Sequence, residues 1–239
     1  MNTLLKYCLL GNLQKVKNFL NKNLKIDLTD QNNQVIIEAC LSGNLKLVQY
    51  LLSLQSFNAE NIDLTDQNNK VFIYACRIGN LEIVKYLLSL QSHNAENIDL
   101  TAQNNKAFFY ACRIGNLEIV KYLLSLQSHN AENIDLTDQN NITLILACLY
   151  GNLKLVQYLL SLQSHNAPNI DLTAQNNEVI QKACKNGNLN LVKYLLNLQS
   201  HNAPNIDLTD QENWTISYAC LSGNLKLVQY LLSLETHNA

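Results

Sequence analysis

The sequence has no strong excess of charge of either sign. Its 239 residues include 17 Lys and Arg and 19 Asp and Glu, spread evenly along the chain, for a formal charge of −2. Proteins that bind nucleic acid usually carry a basic stripe or arm that neutralises phosphates. Nucleic acid is therefore not an expected partner.

The sequence also lacks a long hydrophobic run and a cleavable leader. The first apolar stretch, residues 4–13, is interrupted by Lys6, Gly11 and Asn12 and has no small-residue cleavage site. No run reaches the roughly 20 apolar residues that a membrane-spanning helix needs. Because 47% of the residues are hydrophobic, the composition is that of a globular protein with a large core. We expect a cytoplasmic or nuclear protein without a membrane partner.

Two short phrases recur along the whole chain at one period. Ile-Asp-Leu-Thr begins at Ile26 and returns five times, every 36 residues. Gly-Asn-Leu occurs seven times, 32 residues apart once and 36 apart thereafter, at Gly11, Gly43, Gly79, Gly115, Gly151, Gly187 and Gly223. A period in this range is typical of solenoids and propellers. We therefore expect one domain, 1–239, of seven units, at about 1–25, 26–61, 62–97, 98–133, 134–169, 170–205 and 206–239.

Each unit has the pattern of a turn followed by two helices. In the second unit, the polar stretch 27–33 favours a turn, and Asn33 is the predicted N-cap of a short first helix. Gly43 suits the left-handed position that ends this helix, and Asn44 is the predicted N-cap of the second. Apolar residues follow at helical spacing in both helices. The pattern predicts an all-α helix-turn-helix solenoid.

The segment from Ala39 to Leu52, Ala-Cys-Leu-Ser-Gly-Asn-Leu-Lys-Leu-Val-Gln-Tyr-Leu-Leu, resembles the ankyrin repeat pattern A-A-x-x-G-H-L-x-V-V-x-x-L-L. The units depart from it where ankyrin repeats carry Thr-Pro-Leu-His, and each full unit is about three residues longer after its second helix. The Asn-rich turns are similar to divergent ankyrin repeats of amoebae and their giant viruses. The resemblance implies a binding surface on the concave face and turn tips, and the host cytoplasm as location if the protein is viral.

The terminal units replace apolar residues of the stacking faces with polar ones. The positions of Leu47, Tyr50 and Leu54 carry Lys15, Asn18 and Lys22 in the first unit. In the last unit, Thr215 and Ser217 replace Val35 and Ile37, as expected of a partly exposed end. Because terminal repeats need a polar outer face, we expect the domain to be whole, with a weaker cap at its C-terminal end.

Seven cysteines share one position, the second alanine of the ankyrin pattern: Cys8, Cys40, Cys76, Cys112, Cys148, Cys184 and Cys220. We expect a ladder of buried thiols. Helix axes pack about 8–10 Å apart, whereas a disulfide needs Cα atoms within about 7 Å, so neighbouring thiols should not bridge. An odd number of unpaired cysteines also favours a reducing compartment.

Two further residue types recur in ways that could suggest metal or catalytic sites. The histidines share one loop position, at His93, His129, His165, His201 and His237; we expect loop packing or, alternatively, a weakly pH-responsive ridge. The aspartates of the turns are interpreted as backbone caps: Asp27, Asp63, Asp99, Asp135, Asp171 and Asp207. No nucleophile, base and orienting group converge in the pattern, so neither an enzyme nor a cofactor is expected.

A stripe on the first helix changes from unit to unit, at the positions of Gln34, Glu38, Leu41 and Ser42. By the ankyrin resemblance, this stripe lines the concave face. It combines Tyr and Arg, which are enriched in binding hot spots, with an apolar group. The expected partner contacts are Tyr74, Arg77, Tyr110, Arg113, Ile142, Leu146, Leu149, Tyr150 and Lys185. Half-burial of Tyr74, Tyr110 and Leu146 between units is the alternative explanation for those three.

The expected function is a non-catalytic, monomeric scaffold that binds another protein, without a cofactor, on the concave face. The alternative is a structural component that joins copies of itself through its ends, for which Trp214, Thr215 and Ser217 would be the discriminating residues. A ubiquitin-ligase adaptor would need an appended module, and no non-repeat sequence is left to form one.

Overall fold

The computed structural model describes residues 2–23, 26–28, 30–54, 64, 66–90, 98–126, 138–162, 174–198 and 214–235. These ranges contain fourteen α-helices and no strand, as the repeat pattern predicts. The helices are α1 (Asn2–Leu9), α2 (Leu13–Lys22), α3 (Asp30–Leu41), α4 (Leu45–Ser53), α5 (Asp66–Ile78), α6 (Leu81–Ser89), α7 (Ala102–Arg113), α8 (Leu117–Leu126), α9 (Asp138–Leu149), α10 (Leu153–Ser161), α11 (Ala174–Asn186), α12 (Leu189–Leu198), α13 (Trp214–Leu221) and α14 (Leu225–Glu235).

The chain forms two compact units, residues 1–111 with 118–134 and residues 112–117 with 135–239. In the first, α1 packs against α3 and α3 against α5, and each of these helices also packs against the helix that follows it. In the second, α9 packs against α11 and α11 against α13, with α10, α12 and α14 as their partners. Each unit is thus a row of helix pairs, as a solenoid requires.

The same repeat positions supply the core throughout. The residues Val35, Ala39 and Cys40 of α3 and Leu47, Val48 and Leu51 of α4 are fully buried. Their spacing places them on one side of each helix, where they lie against the neighbouring helices. Full burial of each large aliphatic side chain contributes about 1.5–3 kcal/mol to folding, so the recurring positions account for much of the stability.

The corner between the two helices of a pair is formed by Gly-Asn. Gly43 has φ of 72°, the left-handed conformation predicted for it. Asn44 caps α4, since its Oδ1 accepts a hydrogen bond from the Leu47 backbone N–H at 3.1 Å. Both predictions are confirmed.

The corner asparagines also link successive helix pairs. The Asn44 Nδ2 donates to the Gly11 carbonyl at 2.8 Å, and Asn80 does the same to Gly43 at 2.9 Å. In the second compact unit, Asn188 donates to Gly151 at 3.0 Å and Asn224 to Gly187 at 2.7 Å. The side chain therefore satisfies a helix end in its own pair and a carbonyl in the preceding pair. The sequence pattern predicts the first role but not the second.

The predicted start of the first helix is wrong. The helix α3 begins at Asp30, so Asn33 lies inside it rather than at its N-cap. Asn33 has φ of 62° and is only 4% exposed, and the equivalent Asn69 and Asn177 behave in the same way. Asparagine adopts the left-handed conformation more readily than most residues, which explains its recurrence here without a capping role.

The two terminal helix pairs differ in how well they match the predicted caps. Lys15, Asn18 and Lys22 are exposed on α2, as expected. On α13, Ser217 is exposed, but the prediction for Thr215 is wrong, because this residue is fully buried. The equivalent Thr143 is also buried, so this repeat position faces the core and accepts threonine in either place.

Candidate functional site

The stripe in the first compact unit centres on Arg77 of α5. Its guanidinium carbon lies 5.5 Å from the centroid of the Tyr74 ring and 5.7 Å from that of Tyr110 on α7. These distances are those of cation–π contacts. Arg77 is exposed, whereas Tyr74 and Tyr110 are half-buried, as the alternative explanation for these tyrosines requires. The rings therefore hold the charged group of Arg77 at the surface.

A cavity of about 220 Å³ opens beside the same two tyrosines. Its walls are formed by Lys70, Ile73, Tyr74, Gln103, Lys106 and Tyr110. The Lys106 Nζ donates a hydrogen bond to the Gln103 Oε1 at 2.9 Å. Lys70 and Lys106 lie at the stripe position of Gln34, so the pattern places them on the stripe, but it predicts neither the cavity nor the contribution of Gln103.

The stripe in the second compact unit is organised around Arg113 and Tyr150. The Arg113 Nε donates a hydrogen bond to the Tyr150 Oη at 3.0 Å, and its guanidinium carbon lies 5.6 Å from the centroid of the ring. Arg113 is exposed and Tyr150 is 44% exposed. The structure therefore brings together two of the residues that the sequence predicts as partner contacts.

The apolar residues beside this pair are less open than the pair itself. Ile142, Leu146 and Leu149 on α9 are all half-buried. Half-burial was the alternative explanation for Leu146, and it extends to Leu149. Each side chain still contributes surface that a partner could cover.

Lys185 belongs to a third group, on α11 and α13. Its Nζ lies 5.7 Å from the centroid of the Tyr218 ring, and Tyr218 stacks on Trp214 with ring centroids 5.6 Å apart. Lys182 on the same helix is neutralised by Glu178 at 2.9 Å, so Lys185 is the exposed cation of this group.

Two apolar stripe residues were missing from the predicted contacts. Ile78 and Ile114 are each 42% exposed, next to Arg77 and Arg113 respectively. They occupy the last position of the stripe pattern, so the pattern itself could have identified them. Their exposure adds apolar surface beside each arginine.

The cysteine ladder is buried with one exception. Six of the seven thiols are free and buried, but Cys220 is free and exposed, so the prediction of complete burial is wrong. Burial raises the pKa of the Cys40 thiol from 9.0 to about 12, and the pKa of Cys76, Cys112 and Cys148 rises for the same reason.

Of the recurring aspartates, Asp99 has the predicted capping role. Its Oδ1 accepts hydrogen bonds from the Thr101 backbone N–H at 2.7 Å and from the Thr101 hydroxyl at 2.6 Å. Asp27 is exposed, and the other four aspartates lie outside the described residues, as do all five histidines. The predictions for those residues stay predictions.

In the part of the chain that the structure describes, no group of three or more His, Cys, Asp or Glu residues is arranged to hold a metal ion. None of the described helices has the length and apolar character needed to span a membrane.

Solved structures share this fold. The crystal structure of the human ASB11 ankyrin repeat domain matches with a TM-score of 0.61 and 20% identity, over 96% of each chain. A chain in the structure of the Bd0816 predatory endopeptidase from Bdellovibrio bacteriovorus in complex with immunity protein Bd3460 matches with a TM-score of 0.53 and 22% identity. The match covers 81% of this chain and 96% of that one. No curated protein matches the sequence.

The family model described as ankyrin repeats (3 copies) matches residues 4–102, 90–174 and 144–239. Together these matches cover nearly the whole chain, in agreement with the resemblance of the segment from Ala39 to Leu52. Ankyrin repeats generally mediate protein–protein interactions and are typically non-catalytic. The chain therefore belongs to the ankyrin repeat family.

Proposed function

We propose that this chain is a non-catalytic, monomeric scaffold of the cytoplasm that binds a partner protein through its first-helix stripe, without a cofactor. In the ankyrin repeats that the sequence resembles, this stripe is the concave face. The proposed contacts are Tyr74, Arg77, Tyr110, Arg113, Ile142, Leu146, Leu149, Tyr150 and Lys185.

The observation that carries the proposal is the Arg113–Tyr150 pair. Tyrosine and arginine are over-represented among residues that dominate binding energy. Here both side chains are exposed and are held by a hydrogen bond of 3.0 Å, which limits their freedom before any partner arrives. Ordering side chains on binding costs about 0.5–1.5 kcal/mol each, so a pre-ordered pair binds at lower entropic cost.

The chemistry of the pair indicates what it would contact. The Arg113 Nε donates to Tyr150, and the terminal nitrogens of a guanidinium carry four further N–H donors. These donors suit a carboxylate, which they can bind in a bidentate manner. Ile114 and the half-buried leucines of α9 offer apolar surface nearby. A partner with an acidic group next to a hydrophobic anchor would fit both.

The experiment is a pull-down from cell extract followed by mass spectrometry and measurement of affinity for the captured protein. The test variant is Arg113→Ala/Tyr150→Ala. The matched control is Glu118→Ala/Lys121→Ala, which removes an exposed ion pair of 3.6 Å on the second helix α8. Each stripe substitution should cost about 1–3 kcal/mol of binding. Loss of binding in the control, with binding retained by the test variant, would place the interface on the second helices instead.

Self-association through the last helix pair is a second candidate function. Leu221 is 77% exposed, Leu225 67% and Leu232 45%, and Trp214 is 44% exposed. Large exposed apolar groups favour association. Thr215 is buried and therefore cannot contact a second copy, so it does not discriminate between the two functions. Light scattering at two protein concentrations separates the candidates, because a mass that rises with concentration would favour self-assembly and a constant monomer mass would favour the scaffold.

A further inference from the structure

The cavity between Tyr74 and Tyr110 has a size suited to one side chain. Its volume is about 220 Å³, below the roughly 300–1,000 Å³ of pockets that hold whole small molecules. Its lining includes the buried Ile73 and the half-buried aromatic rings of Tyr74 and Tyr110. A single inserted group, rather than a cofactor, matches these dimensions.

Positive charge converges on the cavity from both helices. Lys70 of α5 and Lys106 of α7 belong to its walls, and Arg77 lies over the same two tyrosine rings. Among the described residues that line it, none is Asp or Glu. Lys70 and Lys106 are half-buried, and charges interact more strongly where water is partly excluded. The ammonium of Lys106 contacts Gln103, a neutral acceptor that an anion could replace.

We propose that this cavity, here called the Tyr74–Tyr110 cavity, is a subsite for one Asp or Glu side chain of the partner protein. The proposal rests on the scaffold function and names the chemistry that the first compact unit recognises. The carboxylate contacts Lys70 and Lys106, and the methylene groups of the inserted side chain pack between the tyrosine rings.

The charges favour a carboxylate over a phosphate group. Recognition of phosphorylated segments relies on clusters of arginine. Here the one arginine lies against two aromatic rings, and the remaining cations are two lysines, so no arginine cluster is present among the described residues of this site. The chain as a whole carries a formal charge of −2, so a long polyanion would meet no continuous basic surface. A single carboxylate is the anion that this site matches.

A second cavity in the same compact unit serves as an internal comparison. Its volume is about 190 Å³, and it is lined by Lys85, Leu88, Ser89, Ile98, Leu100, Tyr122 and Leu126. Its one lysine, Lys85, lies over the Tyr122 ring at 5.3 Å, and most of the other walls are apolar. Similar size without converging cations makes Lys85→Met a matched control for Lys106→Met.

The test titrates isotope-labelled protein, residues 1–239, with three tripeptides and follows backbone amide signals by NMR. The probes are acetyl-Ala-Glu-Ala-amide, its Gln counterpart and its phosphoserine counterpart. We expect the Glu peptide to shift signals of residues 70–74 and 103–110 with a dissociation constant on the order of 1 mM, and the Gln peptide to leave them in place. Raising the salt concentration should weaken the effect by screening.

The lysine variants assign the effect to the cavity. Lys106→Met should weaken binding of the Glu peptide about tenfold, because a charge-assisted hydrogen bond is lost. Lys85→Met should leave it unchanged. The comparison of Glu with Gln on the unaltered protein decides the proposal even if a variant folds poorly. Equal shifts from both peptides, or none at about ten times the expected constant, would overturn it.

Two further outcomes separate this proposal from its alternatives. Tighter binding of the phosphoserine peptide, by tenfold or more, would overturn the carboxylate in favour of phosphate. If no probe bound but Arg113→Ala/Tyr150→Ala still lost partner binding, the result would contradict the subsite proposal and support the scaffold function. If the Glu peptide bound but the stripe substitutions left partner binding unchanged, the result would contradict the proposed scaffold interface and still support an anion-binding site.

Discussion

The Gly-Asn corners and the first-helix stripe lie in the same repeat unit, but the corner residues recur in every unit whereas the stripe residues vary. Every unit repeats the corner, and Asn44 and Asn188 each make a cap and a link to the preceding glycine carbonyl. The stripe changes from Tyr74 and Arg77 in one unit to Leu146 and Leu149 at the same positions in another. The residues that recur thus hold neighbouring repeat units together, and the residues that vary are those available for binding a partner.

The first helix of each unit carries the constant cysteine on one side and the variable stripe on another. The largest effect that we expect from this difference is in the reactivity of the thiols. Burial raises the pKa of Cys40 to about 12, so almost no reactive thiolate forms near neutral pH. Titration of the native protein with Ellman's reagent should detect one fast thiol, Cys220, and all seven only after unfolding.

The Cys220→Ser variant is the control for this titration and should abolish the fast phase. Several fast thiols in the native protein would show that the buried side of the first helix is open. The contrast between the cysteine ladder and the stripe would then be lost.

Substitution of the corner glycines should have the next largest effect, on the free energy of unfolding. Gly43 and Gly151 have φ of 72° and 71°, but an added Cβ at Gly43 would make only an ordinary van der Waals contact, with the Asn80 Nδ2 at 3.8 Å. At Gly151 it would collide with the side chain of Asn186, which donates to the Leu149 carbonyl. The left-handed backbone alone should cost Gly43→Ala about 1–2 kcal/mol of unfolding free energy. Gly151→Ala should cost about 1 kcal/mol more through the displaced hydrogen bond.

Urea unfolding followed by circular dichroism measures both variants. Equal losses would mean that Asn186 moves aside without cost. A negligible loss for Gly43→Ala would contradict the assignment of the corner to a left-handed conformation.

The corner asparagines give a smaller and more selective effect. Asn188 caps its helix and donates to Gly151, whereas Asn152 makes no side-chain cap and its Nδ2 is buried without a hydrogen-bond partner. Asn188→Ala should therefore lower the unfolding free energy by about 1–2 kcal/mol. Asn152→Ala should lower it less. The same urea titration compares them, and the reverse order would show that the link between units is not what the asparagine supplies.

Much of this division follows from the sequence, because spacing alone locates the corners, the core positions and the stripe. The role of Asn33 does not follow from the sequence, because asparagine is common both at N-caps and in left-handed backbone. The link from Asn44 to Gly11 depends on how units stack, which a single unit does not encode. The cavity depends on the side-chain conformations of Tyr74 and Tyr110, which only packing decides.

The stripe should contribute least to stability. Arg77 lies over two rings at the surface, where a cation–π contact is worth about 0.5–1 kcal/mol. Arg77→Ala should therefore lower the unfolding free energy by less than about 1 kcal/mol. A loss as large as that of Asn188→Ala would mean that this part of the stripe serves stacking rather than recognition.

The measurement that tests the account most directly determines partner affinity and unfolding free energy for Arg113→Ala/Tyr150→Ala and Asn188→Ala side by side. We predict that the stripe variant loses binding by about 2 kcal/mol or more while its stability changes by about 1 kcal/mol or less. We also predict that the corner variant loses stability while its folded fraction binds normally. Unchanged affinity in the stripe variant, or lost affinity in a folded corner variant, would contradict the separation of stacking from binding.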